Sequence, residues 1–310
     1  MSINELLLEA NADENNNFLL KDRNIKNRLL SFRNYLIEKD MSENTIKTYL
    51  TKIKTFYKHF EIELPLLPNV KYEHSYQLNY SDLPTKEDIS KVLEIVPLDL
   101  KAIILFMSSS GTAKAETLSL TVGDFIKGCD EYYSSKNLFN ILNELSKRND
   151  IVPTIYLKRL KTDKYYYTFC SPEASSCIIK YLKIRDYLNY EDKLFQLSNA
   201  SLLNRFQKIN DFMNWGRKGK YRFFRTHSLR KYHASNIGLP AEYVDSLQGR
   251  QKNVIHDAYI KTNPKKLKEV YIKNMRNVMI YSNDNFKNED DTEEIKITIN
   301  IFMSDLQITL

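Results

Sequence analysis

The run FRTHSLRKYHASN, residues 224–236, brings together several side chains that can hold a phosphate group. It contains Arg225, His227, Arg230 and Lys231. Arginine presents a planar fork of N–H donors that fits two phosphate oxygens, and lysine adds a point charge. Histidine can move a proton near neutral pH. The run is either the solvated face of a basic helix or a phosphate-handling site, and the rest of the sequence distinguishes the two.

The charge of the chain is unevenly distributed. The 310 residues carry a net charge of +7, yet residues 1–20 hold four acidic side chains and no basic one. Residues 281–310 hold seven acidic side chains and two lysines, whereas residues 214–231 hold seven basic side chains and no acidic one. A basic body between acidic ends predicts a polyanionic partner, with nucleic acid favoured over a membrane. The simpler alternative is a solvated basic surface.

Composition also argues against secreted and membrane classes. The three cysteines are an odd number without the spacing of a metal site, which fits a reducing compartment. The N-terminus lacks the cationic start and apolar run of a signal peptide, and no stretch approaches the roughly 18 apolar residues of a membrane span. We therefore expect a cytoplasmic protein.

Residues 21–80 predict a small helical domain. Apolar residues recur at helical spacing from Ile25, and a second stripe follows Ser42, a suitable N-cap. That stripe comprises Ile46, Tyr49, Ile53, Phe56 and Phe60, with several lysines outside it. Residues 1–20 have the character of a loose leader, either without regular structure or with a short helix at NELLLEA (4–10). Residues from about 63 to 84 contain three prolines and little periodicity, which indicates a linker.

Residues 81–283 predict a larger, mainly helical domain. A chain with only 7 glycines and 8 prolines is poorly suited to a barrel or sandwich full of tight turns. Strand signal is confined to residues 151–157 and 164–170, which are rich in β-branched and aromatic residues. The intervening KRLKTD (158–163) predicts a basic turn. Residues 284–310 predict an acidic tail that ends in a segment able to dock on a partner.

Five features then follow one another along the chain. SSSGTAKAETLSL surrounds Gly111, Lys161 lies in the predicted turn, and H-x-x-R is formed by His227 and Arg230. LQGR ends at Arg250, and a tyrosine at position 259 follows nine residues later. This order and spacing resemble the tyrosine recombinases, the phage integrase and Xer family. LQGR, with arginine where the family usually has histidine, is most similar to archaeal and archaeal-virus integrases.

The resemblance implies a mainly α fold with a small β-sheet (α+β), in which a helical core-binding domain precedes the catalytic domain. It implies an integrase of a mobile element that cuts and rejoins double-stranded DNA at specific sites. Such enzymes work as dimers to tetramers on DNA, and the resemblance implies neither a metal ion nor another cofactor.

It also implies a role for each site residue. Tyr259 would attack the phosphodiester and hold the DNA as a 3′-phosphotyrosine. Arg230 would bind the non-bridging oxygens, and Lys161 would protonate the leaving 5′-oxygen. His227 and Arg250 would complete a cage whose fixed cations stabilise the transition state.

The first arginine of the family pattern is absent. Alignment on Glu116 places Ala113 at its position, and a slip of one residue places Lys114 there. We take Lys114 as the catalytic residue of this box. A lysine is a point charge without the two-pronged geometry of arginine, so we expect reduced or lost activity.

Several assignments compete with simpler ones. Tyr271 lies in a segment with helical periodicity and fits a core position better than the role of nucleophile. His256 is an incidental sequence neighbour of Tyr259. Arg250 can form an ion pair with Asp245 instead of binding phosphate. Two other functions also stay open: a non-catalytic, sequence-specific DNA-binding protein on the same scaffold, and type IB topoisomerase-like strand relaxation. The further basic residues expected to contact DNA are Lys47, Lys158, Arg159, Lys164, Arg217, Lys218, Lys220, Arg222, Arg225 and Lys231.

Overall fold

The computed structural model describes residues 2–70, 79–250 and 263–281. The chain forms two compact units, Met1–Gln77 and Leu78–Leu310. Both are built mainly from helices, and the strands within the described residues form two short antiparallel hairpins. This architecture confirms the predicted α+β class. The predicted tail, residues 284–310, lies outside the described residues.

In the described part of the first unit, residues 2–70, the chain forms three helices: α1 (Ile3–Asn15), α2 (Asn24–Glu38) and α3 (Glu43–His59). Ser42 caps α3 as predicted, since its hydroxyl accepts a hydrogen bond from the Thr45 N–H. The buried face of α3 differs from the expected stripe. Tyr49 and Phe60 are exposed, and the α3 core positions are Ile46, Leu50 and Tyr57. Helix α3 therefore turns Ile46, Leu50 and Tyr57 towards the core of this unit, and two of the expected aromatic residues face solvent instead.

The expected loose leader is an ordered part of this unit. Helix α1 begins with a capping box between Ser2 and Glu5 and packs against α2. Asp13 is buried and accepts hydrogen bonds from the Asn24 backbone N–H at 2.7 Å and from the Asn24 side chain at 2.9 Å. Because this carboxylate satisfies donors at the first turn of α2, the end of α1 is fixed to the next helix.

The first part of the predicted linker is also bound to this unit. Arg33, on α2, donates a hydrogen bond to the Pro68 carbonyl oxygen at 2.6 Å. Arg23 donates to the Glu63 carbonyl oxygen at 3.2 Å. Residues 63–70 have no regular secondary structure but are held by these side chains.

The second unit surrounds one large apolar core. Its longer helices in the described range are α4 (Lys86–Ile95), α5 (Leu98–Ser110), α6 (Lys114–Ser119), α7 (Val122–Gly128), α8 (Leu138–Leu145), α9 (Pro172–Lys183), α10 (Asn199–Phe212), α11 (Thr226–Asn236), α12 (Ala241–Leu247) and α13 (Pro264–Asn274). Thr85 and Asp88 form a capping box at the start of α4, a pairing that their sequence spacing favours. Helix α5 is rich in apolar residues and buried along most of its length, and it packs against both α9 and α11. None of the helices in the described parts is long and apolar enough to cross a membrane.

The predicted hairpin is present, but its turn is shorter than expected. Strands β1 (Ile155–Arg159) and β2 (Lys164–Thr168) pair antiparallel, with Leu157 opposite Tyr166 and Arg159 opposite Lys164. The sequence predicted a turn over KRLKTD, yet Lys158 and Arg159 belong to β1. Side chains alternate along a strand, so Lys158 points outward while Arg159 shares the inner face with buried Leu157.

A second hairpin lies where the sequence predicted helix. Strands β3 (Arg217–Lys218) and β4 (Tyr221–Arg222) place basic residues just before α11. The chain that follows is held by Asn210, a buried residue of α10. The Asn210 amide nitrogen donates to the Phe224 carbonyl oxygen at 2.5 Å, and its carbonyl oxygen accepts from the Phe224 N–H at 2.9 Å. One amide side chain thus fixes the entry to α11.

We expect Asn210→Ala to lower the free energy of unfolding by about 2–4 kcal/mol, because both backbone groups of buried Phe224 lose their partners. Urea unfolding measures this change. Asn204→Ala, on the exposed face of the same helix, is the matched control and should cost much less. Equal losses for the two variants would contradict the assigned role of Asn210.

Candidate functional site

The guanidinium of Arg230 joins three distant parts of the second unit. Arg230 lies on α11 and its side chain is buried. Its Nη1 donates to the Gly111 carbonyl oxygen at 2.7 Å, and its Nη2 donates to the Gln248 carbonyl oxygen at 2.8 Å. Gly111 ends α5, and Gln248 follows α12. The H-x-x-R, LQGR and glycine segments that the sequence singled out therefore meet at one side chain.

A second arginine reaches the same carbonyl oxygen. Arg159, the last residue of β1, donates from Nη1 to the Gln248 oxygen at 2.9 Å. Burial lowers the pKa of Arg230 to about 10, and the charge of Arg159 is the next largest cause. The two guanidinium groups thus lie side by side.

Two glycines allow the segments to approach this closely. Gly111 has a φ of +67°, and a Cβ built there would lie 2.6 Å from both His233 Nδ1 and Gln248 Nε2. Gly249 has a φ of +58°, and its Cβ would lie 2.5 Å from the Tyr166 ring. Any other residue at these positions would strain the backbone and push the segments apart.

The buried side of the site carries one carboxylate and one phenol. Glu116 on α6 is buried, and its charge raises the pKa of Tyr166 and, more weakly, that of Arg230. Burial is the larger cause for Tyr166, whose pKa is held well above its usual range. Neither Glu116 Oε2 nor the Tyr166 hydroxyl has a hydrogen-bond partner among the described residues. The charge of Glu116 therefore offsets part of the Arg230 charge from within the core, whereas Tyr166 stays a neutral phenol.

His227 lies among cations on the open side of the site. Desolvation by the surrounding protein, together with the charges of Arg225, Lys231, Arg230 and Arg250, lowers the pKa of His227 to about 4. Its imidazole is therefore neutral at pH 7. The same cations favour any anion that approaches the ring.

Arg250 interacts both with the cationic site and with Asp245, the ion-pair partner that the sequence suggested. Its Nη1 lies 3.5 Å from Asp245 Oδ1, which is a long contact for an ion pair. Its charge also contributes to the lowered pKa of His227, His233 and Arg230, after desolvation and nearer cations. Pairing with Asp245 and membership of the cationic cluster therefore occur together.

The other predicted catalytic residues are less closely joined to this cluster. Lys161 is exposed in the turn after β1. Lys114 is the first residue of α6, and Ala113 is its N-cap. Among the described residues, no hydrogen bond or ion pair links Lys114 to Arg230 or His227. Tyr259 and His256 lie outside the described residues, so the role of Tyr259 stays a prediction. Tyr271 is a core residue as expected, and its hydroxyl donates to the Ser109 carbonyl oxygen at 3.0 Å.

The predicted DNA contacts lie on both units. In the first unit, Lys47 pairs with Glu43 one helical turn away. In the second, the β3–β4 hairpin presents Arg217, Lys218, Lys220 and Arg222, and Lys231 follows on α11. Arg222 pairs with Asp211, and Arg225 stacks over the Tyr221 ring at 4.1 Å. Lys158 pairs with Asp163 at 2.6 Å, and Lys164 is exposed at the start of β2.

Sequence reasoning missed Gln248 and His233 as structural parts of the site. Gln248 is buried, supplies the shared carbonyl oxygen, and donates from Nε2 to the Arg230 carbonyl oxygen at 3.1 Å. The same amide lies 3.0 Å from His233 Nδ1. The signal was present, because both residues lie inside quoted motifs. A search of the described residues finds no cluster of His, Cys, Asp or Glu suited to a metal ion.

Comparison with solved structures finds 12 matching chains, among them two recombinases of low similarity to this chain. One is the crystal structure of XerA recombinase, whose sequence is 16% identical to this chain. The match has a TM-score of 0.37 and covers 83% of this chain and 85% of that chain. The XerH site-specific recombinase bound to difH substrate, a pre-cleavage complex, is 16% identical, with a TM-score of 0.46 over 80% of this chain and 66% of that chain. No family model and no curated protein matches the sequence. With such low identities and TM-scores, neither likeness establishes the family of this chain.

We expect the His227 ring of the free protein to stay neutral at pH 5.5, since its pKa lies near 4. Histidine ¹³C–¹H NMR spectra recorded from pH 7.5 to 4.5 measure this titration, and His227→Gln assigns the signal. Replacing Arg225 by Gln removes one nearby cation and should raise the midpoint. A His227 midpoint near the ordinary value of about 6.5 would contradict the described surroundings.

Proposed function

We propose that this chain is a tyrosine-type DNA strand transferase, a site-specific recombinase or integrase that cuts and rejoins duplex DNA. One observation carries the proposal: Arg230 binds the carbonyl oxygens of Gly111 and Gln248, 119 and 18 residues away in the chain. Three of the five sequence features are thereby joined at one cationic centre. A solvated basic helix has no need of a buried arginine that ties such distant segments together.

The proposed reaction is a pair of transesterifications. The Tyr259 oxygen attacks phosphorus, a P–O bond to tyrosine forms, and the P–O5′ bond of the DNA breaks. Lys161 gives a proton to the leaving 5′-oxygen, and the phenolic proton leaves to a base in the site. Attack by a 5′-hydroxyl group then reverses these changes and releases the tyrosine. The phosphodiester bond energy is kept in the covalent intermediate, so the reaction needs no ATP.

The electrostatics of the described site support this chemistry. The bidentate guanidinium of Arg230 suits the non-bridging oxygens of a phosphate, and Arg250 and His227 lie within its electrostatic range. A bound phosphate would offset the cations around His227 and raise its pKa towards neutrality. The imidazole would then be poised either to accept the phenolic proton or to donate to phosphate.

The finer parts of the proposal extend this mechanism. We propose an integrase of a mobile element, with the archaeal-virus likeness resting on LQGR. The helical domain over residues 21–80 would act as the second DNA-binding module, and dimers to tetramers would assemble on DNA. Residues 284–310 would supply a docking tail in that assembly.

A non-catalytic DNA-binding protein is the second candidate. The observation that favours it is Ala113 at the N-cap of α6, where the family pattern has its first arginine. Such a protein would retain the basic surface and Arg230 but would form no covalent intermediate. Formation of a protein–DNA adduct separates the two candidates.

We expect Tyr259→Phe to bind DNA normally and to form no covalent adduct, because the substitution removes only the nucleophilic oxygen. Trapping on a nicked suicide duplex, with EDTA and without ATP, measures the adduct by denaturing gel. Tyr271→Phe removes a core hydroxyl and is the control, which should keep the adduct. An adduct that survives in Tyr259→Phe and disappears in Tyr271→Phe would overturn the assignment.

We expect Arg217→Gln, in the basic β3–β4 hairpin, to weaken the salt dependence of DNA binding. Loss of one phosphate contact reduces the slope of log K against log salt by about 0.9. Binding titrations between roughly 50 and 200 mM salt measure the slope. Lys127→Gln, an exposed residue of α7, is the matched single-charge control. An unchanged slope for Arg217→Gln would place the hairpin outside the DNA interface.

A further inference from the structure

We propose that Arg159 is a catalytic residue whose guanidinium binds the same scissile phosphate as Arg230. The sequence indicated Arg159 only as one of many backbone contacts in a basic turn. The proposal rests on the proposed strand transferase function and specifies which group supplies the second two-pronged cation of its site.

The strand register places Arg159 in the site. It is the last residue of β1 and lies on the inner face with Leu157. Its Nη1 and the Nη2 of Arg230 donate to the same Gln248 carbonyl oxygen, at 2.9 and 2.8 Å. The neighbouring Lys158 points to the other face and pairs with Asp163. Position along the strand therefore separates a residue aimed at the site from one aimed at solvent.

The electrostatics of the pair call for an anion. Two guanidinium groups that meet at one neutral oxygen repel each other, and Arg159 is the largest charged cause of the lowered pKa of Arg230 after burial. Among the described residues, no carboxylate accepts a hydrogen bond from either group. Glu116 acts on Arg230 only weakly and from the buried side. A phosphate joining the two would relieve the repulsion and use their remaining donors.

Arg159 and Arg230 together also provide the charge stabilisation that the proposed reaction requires. Charge accumulates on the two non-bridging oxygens as Tyr259 attacks and the 5′-oxygen leaves. One planar fork can address only part of that charge, and Lys114, a point charge, is joined to Arg230 by no hydrogen bond or ion pair in the described range. Arg159 would thus supply from β1 the guanidinium that the α5–α6 segment lacks. It forms and breaks no bond itself, and it stabilises the transition state electrostatically.

Three variants test the proposal: Arg159→Ala, Arg159→Lys and the control Lys127→Ala, which removes an exposed cation from α7, a helix packed against β1. Single-turnover adduct formation is measured on a suicide duplex beside equilibrium DNA binding at one salt concentration. Loss of a transition-state donor predicts adduct formation about 100- to 1,000-fold slower for Arg159→Ala. Binding should change far less, and Arg159→Lys should recover part of the rate. Lys127→Ala should react like the parent protein.

A second substrate distinguishes charge stabilisation from a structural role. In a methylphosphonate duplex, a methyl group replaces one charged non-bridging oxygen at the scissile position, so less charge needs to be offset. The deficit of Arg159→Ala should shrink at least about tenfold on this substrate if its guanidinium neutralises that charge. An equal deficit on both substrates would show that Arg159 only holds Gln248 in place, and would overturn the proposal.

The outcomes separate this inference from the proposed function. If the parent protein forms no adduct, the strand transferase proposal fails and this inference fails with it. If the parent protein forms the adduct and Arg159→Ala matches its rate, only the role of Arg159 is overturned. Thermal unfolding of each variant identifies a rate loss that is caused by a disrupted hairpin. If Arg159→Ala is destabilised, Arg159→Lys decides between loss of the cation and loss of structure, because it keeps both the positive charge and a long side chain on β1.

Discussion

The placement of one buried guanidinium between two backbone carbonyl groups governs the arrangement of the site. Arg230 is 5% exposed, yet it carries a charge that has no carboxylate hydrogen-bonded to it among the described residues. A buried cation is expensive unless its donors are satisfied, and the oxygens of Gly111 and Gln248 satisfy two of them. The end of α5, helix α11 and the segment after α12 must therefore keep their mutual positions. The orientation of the remaining donors follows from this constraint rather than from the flexibility of a surface side chain.

Close backbone approach is the steric condition for that arrangement. Gly111 and Gly249 adopt left-handed conformations and leave no room for a Cβ against His233, Gln248 and Tyr166. The entry to α11 is fixed separately, because Asn210 satisfies both backbone groups of Phe224. The two arginines bound to the Gln248 carbonyl oxygen thus lie on helix α11 and strand β1, whereas Lys161 is exposed in the turn between β1 and β2. Charge held in place in this way is preorganised for an anionic ligand.

The cations of the site repel one another, and a bound anion would reduce this repulsion. Arg159 and Arg250 both contribute to the lowered pKa of Arg230, and desolvation, followed by Arg225 and other nearby cations, lowers the pKa of His227 to about 4. The stored repulsion favours phosphate binding whether or not cleavage follows, so it is compatible with both candidate functions. What distinguishes an enzyme is a nucleophile placed against that phosphate. The rate of adduct formation therefore carries information that binding affinity does not.

The sequence by itself determined the elements whose causes are local. The caps at Ser42 and Thr85, the buried helix α5 and the existence of the β1–β2 hairpin follow from short-range hydrogen bonding and apolar patterning. It also identified His227, Arg230 and Arg250 as a group, because charged residue types at given spacings are visible in one dimension. Only the tertiary structure decided which partners they have. Every residue carries a carbonyl group, so nothing in the letters marks those of Gly111 and Gln248 as acceptors. Likewise, the hairpin register turned Arg159 inward and Lys158 outward, since a shift of one residue exchanges the two faces of a strand.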